Sequence, residues 1–109
     1  MTGADSSLVL DSREETIAGT TPFSQIVRPP AERLVQWAYS LVVQTEPPGR
    51  VTLSLRDPVL NQAVAVDRSE DGIASIEATL AEHPYELRIE SEQPLSFRAI
   101  CTQTYGYHS

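Results

Sequence analysis

No lysine occurs anywhere in this chain of 109 residues, and there is a single cysteine, Cys101. Without lysine, Schiff-base chemistry from a side-chain amine is excluded. With one thiol, no intrachain disulfide can form, and the sequence reads as a cytoplasmic protein whose cysteine is a small core residue. Histidine is nearly as scarce, at His83 and His108. A zinc or iron site needs three or four converging ligands, and neither H-x-H nor C-x-x-C spacing is present, so no metal or cofactor is expected. Positive charge is short as well: eight basic residues face 15 acidic ones, for a net charge of −7. A nucleic-acid backbone or an anionic lipid surface is therefore a poor partner. No apolar run is long enough to cross a bilayer, so membrane insertion is not expected. MTGADSSLVLDSREE lacks a basic segment followed by an apolar core of about 7–15 residues, so a signal peptide is expected to be absent or already removed.

Catalytic constellations are equally thin. Glycine-rich phosphate loops and the G-x-S-x-G elbow are missing. Cys101 and His108 could form a nucleophile and base only if a histidine one residue from the end of the chain were held in place. The carboxylate pairs Glu14–Glu15, Glu70–Asp71 and Glu90/Glu92 fall on exposed faces or turns, where they are simply solvated. DRSEDG, Asp67 to Gly72, offers Asp67, Ser69 and Asp71 at calcium-loop positions, but the bidentate glutamate that should follow is Ala78, so the helix–loop–helix motif fails. The segment reads as an acidic turn, with a looser β-sandwich calcium site as the alternative. The sequence points to no enzyme.

What is present is alternation. In VTLSL, Val51, Leu53 and Leu55 share one face, with Thr52 and Ser54 on the other. In YELRIE, Tyr85, Leu87 and Ile89 oppose Glu86, Arg88 and Glu90. Such a period of two marks half-buried antiparallel strands. SLVLDS, the segment Phe23 to Val27, QAVAV and LSFRAICTQTY add further strands. Proline and acidic breakers at 29–30, 46–49, 57–58, 70–72, 83–84 and 93–94 separate them. The loop EPPG joins two strong alternating runs and reads as a hairpin. GIASIEATLAEH fits a helix through Ile73, Ile76 and Leu80. It also fits a strand through Ala74, Ile76, Ala78 and Leu80, and its strand neighbours favour the second reading. The expected fold is an all-β antiparallel sandwich of about eight strands. It occupies residues 7–109 as a single domain behind a flexible stretch at 1–6.

RLVQWAYSLVVQ settles as a strand with Val35, Trp37, Tyr39, Leu41 and Val43 inward. Its other face carries Gln36, Ala38, Ser40, Val42 and Gln44. In the last segment, Leu95, Phe97, Ala99 and Cys101 share the inward parity, which leaves Ile100 outside. Trp37, Tyr39 and Tyr85 read as core, while Tyr105 and Tyr107, near the end of the chain, are candidates for an exposed contact.

Residues 51–92, with an alternating strand ending in Asp57-Pro58, an acidic turn, an amphipathic strand and then Tyr85-x-Leu87-x-Ile89, resemble β-sandwich modules of the GOLD and pre-peptidase C-terminal types. Those modules carry G-x-Y before the late tyrosine strand, where this chain has His83-Pro84-Tyr85. The resemblance implies an eight-stranded jelly roll with a non-catalytic binding role, and it transfers no site residue.

The resulting expectation is a binding module that contacts a protein partner, a second copy of itself included. The candidate contact residues are Gln36, Ser40, Val42, Tyr105 and Tyr107. The alternative is a carbohydrate or small-ligand module with an aromatic-bearing concave face.

Overall fold

The computed structural model describes residues 7–109, so the flexible stretch expected at 1–6 lies outside the described residues. Eight strands follow one another: β1 (Leu8–Thr20), β2 (Phe23–Val27), β3 (Leu34–Glu46), β4 (Val51–Asp57), β5 (Gln62–Ser69), β6 (Ile73–Thr79), β7 (Tyr85–Glu90) and β8 (Ser96–His108). They form two four-stranded antiparallel sheets, sheet I in the order β1-β8-β3-β6 and sheet II in the order β2-β7-β4-β5. The pairing is nested. β4 pairs β5, β3 pairs β6, β2 pairs β7 and β1 pairs β8, as if one long hairpin had been rolled up. That nesting is the jelly-roll arrangement.

The core lies between the sheets. Leu41, Val43, Phe97, Ala99 and Cys101 of sheet I meet Leu53, Leu55, Leu87 and Ile89 of sheet II, and all are buried. Trp37 is fully buried and meets Tyr85 edge to face, with ring centroids 5.9 Å apart. Phe23 and Phe97 do the same at 5.1 Å. Each residue in these sets has the inward parity of its strand, which is why alternation in the sequence finds them. The segment 73–79 is a strand, with Ala74 and Ile76 buried and Ile73 exposed.

Three local expectations need correction. The EPPG segment is not a hairpin: β3 lies in sheet I and β4 in sheet II, so the loop crosses between sheets. Both edges of β3 are already taken by β6 and β8, and Pro47 and Pro48 have no N–H to extend a ladder. Instead, Thr45 N–H donates to the Gly72 carbonyl at 2.8 Å and its hydroxyl to the Pro47 carbonyl at 3.1 Å. Val35 does not face the core but is 56% exposed, because the β3–β8 ladder shifts register between Leu34 and Gln36. Leu34 is half-buried against the core in its place. Finally, strand β1 is much longer than SLVLDS. Its stretch from Arg13 to Thr20, charged at the start and small-residued toward the end, is mostly exposed, so it carries no alternation to read.

Gly72 is a position where the fold requires glycine. Its φ is +84°, and an added Cβ would lie 3.0 Å from Pro48 Cα and 3.1 Å from Gly49 N, with the Thr45 hydroxyl closer still. Gly72→Ala is expected to destabilise the fold by about 3 kcal/mol, from backbone strain plus the forced opening of the loop. Urea denaturation followed by tryptophan fluorescence measures it.

Candidate interaction surfaces

The five candidate contact residues divide between two faces. Gln36, Ser40 and Val42 lie on the outer face of sheet I, Ser40 half-buried and Val42 46% exposed. Tyr105 is only 6% exposed and Tyr107 is half-buried. The expectation of an exposed contact therefore fails for Tyr105, while Tyr107 keeps part of its surface open. Strand β8 stays paired with β1 and β3 to its end, with Tyr105 opposite Trp37, so the inward parity of Cys101 and Gln103 continues through both rings. The two tyrosine rings stack on one another with centroids 6.1 Å apart.

The inward parity also carries a polar residue. Gln103 is buried, and its Oε1 accepts a hydrogen bond from Trp37 Nε1 at 2.7 Å. A buried indole N–H needs such a partner, since leaving it unpaired costs about 1–3 kcal/mol. Sequence alternation skips over Gln103 as a polar interruption, although a lone glutamine at inward parity near a core tryptophan is the available signal.

On the outer face of sheet I, the strand registers set cross-strand rows. Thr16, Ile100, Val42 and Ser75 form one row, flanked on one side by Glu14, Thr102, Ser40 and Glu77 and on the other by Ala18, Arg98, Gln44 and Ile73. Apart from half-buried Ser40 all are exposed, and Ile100 is 48% exposed. A shallow depression of about 470 Å³ runs beside this centre, lined by Ala38, Ser40, Glu77, Thr79, Thr102 and Thr104. Apart from Glu77, its side chains are small or hydroxylated. Every tryptophan, tyrosine and phenylalanine of the chain is buried or half-buried, so no aromatic face is offered for stacking on a sugar.

A second opening lies between the sheets, where the edges of β1 and β2 part. This cleft of about 340 Å³ has Arg13, Glu15 and Arg28 among its walls and reaches Tyr39, Cys101 and Gln103. Burial pushes the Cys101 thiol pKa up, and hydrogen bonds with Tyr39 and Gln103 only partly oppose it. Burial, reinforced by the neighbouring Cys101, likewise pushes the Tyr39 hydroxyl far above its ordinary range. Neither group is poised to ionise near neutrality, so the cleft holds no activated nucleophile.

The turn aspartates Asp67, Asp71 and Asp57 are occupied with structure. Asp67 Oδ2 accepts the Ser75 N–H at 2.9 Å, and Asp71 Oδ1 accepts the Ile73 N–H at 3.2 Å and the Ser69 hydroxyl. The acidic turn is thus held by its own hydrogen bonds. Among the described residues there is no cluster of three or more side chains able to hold a metal ion. At the opposite end, Asp57 closes the β4–β5 turn. Its Oδ1 accepts the Val59 and Leu60 amides at 2.9 and 3.2 Å and meets His83 Nε2 at 3.0 Å. The His83 ring stacks on Tyr85 at 4.5 Å, tying the β4–β5 turn to the segment between β6 and β7.

Comparison with known proteins supports the architecture. No family model matches the chain, and no curated protein sequence matches it. Among solved structures, a chain from Bacillus endospore appendages, described as forming a novel family of disulfide-linked pili, is similar, with a TM-score of 0.65. The two share 16% identity over 99% of this chain and 96% of that chain. At that identity the likeness is one of fold.

The Asp57 cluster makes stability depend on pH. Burial of the carboxyl disfavours its charge, but the Leu60 and Val59 amides and His83 outweigh that effect and hold its pKa below the ordinary value. A depressed carboxyl pKa adds stability above the unfolded value of about 3.9, and that stability is lost as pH falls through the lower folded value. The melting-temperature difference between wild type and Asp57→Asn is expected to be largest near pH 6 and to close toward pH 2.5. A difference that stays constant across that range refutes the assignment. Cys101 is expected to resist a disulfide reagent in the native protein and to react within seconds in concentrated urea. Stopped-flow absorbance resolves the two.

Proposed function

We propose that this protein is a non-catalytic structural module that works by associating with copies of itself. The observation that carries the proposal is the edge of β1 that no strand pairs among the described residues. This strand of 13 residues pairs with β8 along one side and is the terminal strand of sheet I on the other. An unpaired strand of that length presents a row of main-chain donors and acceptors to another chain. Its centre carries Asp11, Arg13, Glu14 and Glu15, all exposed. Charges at an edge suppress indiscriminate pairing and leave a partner with matching charge as the acceptable one.

The likeness in fold to an appendage subunit that builds pili supports the same reading. So does the pattern-level resemblance of residues 51–92 to GOLD-type and pre-peptidase C-terminal modules, which implies a non-catalytic role. Disulfide linkage is not part of the proposal, because the chain's one thiol, Cys101, is buried in the core.

Consecutive residues of a strand direct their N–H groups to opposite sides, so of Ser12→Pro and Arg13→Pro one removes a donor from the β8 ladder and the other from the free edge. Multi-angle light scattering and sedimentation velocity are expected to give wild-type masses above the 12.0 kDa of one chain. The proline variant that keeps the wild-type melting temperature is expected to lose mass. Wild-type protein that stays monomeric up to millimolar concentration overturns the proposal.

A further inference from the structure

The geometry points to the outer face of sheet I as a face-to-face dimer surface, with a second copy of this chain as its occupant. The inference rests on the self-association just proposed but concerns a different surface from the β1 edge. Its centre is the row Thr16, Ile100, Val42 and Ser75, in which the two large apolar side chains sit side by side on β8 and β3, each about half exposed. Sheet faces pack well when strands lie within about 30° of one another and apolar side chains interdigitate between them.

Charge decides how the second copy sits. The row on one side of the centre has acidic ends, Glu14 on β1 and Glu77 on β6, while the row on the other side carries Arg98 on β8. Let a two-fold axis run across the strands through the central row. Ile100 then faces Ile100 of the other copy, and the acidic row of each copy faces the Arg98 row of the other. Arg98 lands over Thr102, one strand from Glu14. A lateral offset of about 4.8 Å and a sheet separation of about 10 Å put the two backbones roughly 11 Å apart, a gap the two long side chains together span. Gln44 lands over Ser40, between the hydroxyl side chains of the shallow depression. A two-fold axis running along the strands is disfavoured, because it brings Glu14 of one copy over Glu77 of the other.

The pair does not form within one chain. Arg98 and Glu14 are separated by four residues along the strands, roughly 13 Å. Neither takes part in an ion pair among the described residues. Size also fits. Four strands and five rows present a face of roughly 600–700 Å² per copy, so a dimer covers roughly 1,300 Å², inside the range of stable specific interfaces.

The test is a charge exchange read by sedimentation velocity at low ionic strength. Arg98→Glu and Glu14→Arg are each expected to weaken the dimer about tenfold or more. The double variant R98E/E14R is expected to return to within about threefold of wild type, since each exchanged charge again meets its opposite on the other copy. Ile100→Asp is expected to weaken the dimer at least a hundredfold while near-ultraviolet circular dichroism of buried Trp37 stays unchanged. A double variant as weak as the product of its parents overturns the inference, as does an Ile100→Asp protein that dimerises normally. If the edge-blocking proline variant loses mass while these face variants keep it, self-association stands and this surface is wrong. A wild-type monomer sinks both.

Discussion

The ladder between β3 and β8 is the constraint from which the other features follow. It runs from Leu34 to Glu46 on one strand and from Tyr107 to Ser96 on the other, in the middle of sheet I. Because side chains alternate along a strand, one register decides the side of every residue from Gln36 to Glu46 and of its partners on β8. That register sends Trp37, Tyr39, Leu41, Cys101, Gln103 and Tyr105 into the core, and Ser40, Val42, Ile100 and Thr102 to the outer face. The hydrogen bond from Trp37 to Gln103 is a cross-strand contact that this register makes possible, and a slip of one residue would bury Arg98 and Thr102 in its place. The core and the candidate surface are two sides of one pairing.

Much of the architecture was legible in the residues because the strands that build the core are buried on one face only. Val51 to Leu55 and Tyr85 to Ile89 alternate cleanly, and proline and acidic breakers mark their ends. Three things resisted reading. Strand β1 is exposed on both faces over most of its length, so charge and small residues hide it. The register shift at Leu34 and Gln36 turns Val35 outward, and no pattern of apolar residues announces a one-residue irregularity. The role of the EPPG loop depends on which strands already have neighbours, a property of the whole topology and not of the loop.

The candidate surface was half legible. Parity alone places Ser40, Val42 and Ile100 outside, and the structure puts Val42 and Ile100 side by side. The tyrosines near the end of β8 misled through their position in the chain: proximity to a terminus suggests fraying, but pairing with both β1 and β3 holds them in place. What the sequence could not show is alignment across strands. Glu14 and Arg98 lie far apart in the chain, and only the registers of β1 with β8 and of β8 with β3 reveal that they occupy opposite flanks of one apolar row.

The nested pairing also sets an order of events. Closing Asp57 onto Gln62 joins residues close in the chain, whereas bringing Leu8 to His108 closes a loop spanning nearly the whole protein. Loop-closure entropy and the long reach of the outer pairs favour assembly from the innermost hairpin outward. Strand β1 is then the last to settle, docking on a β8 already held by β3. The outer edge of sheet I is therefore completed only after the seven other strands are in position, so a partly folded chain lacks that edge.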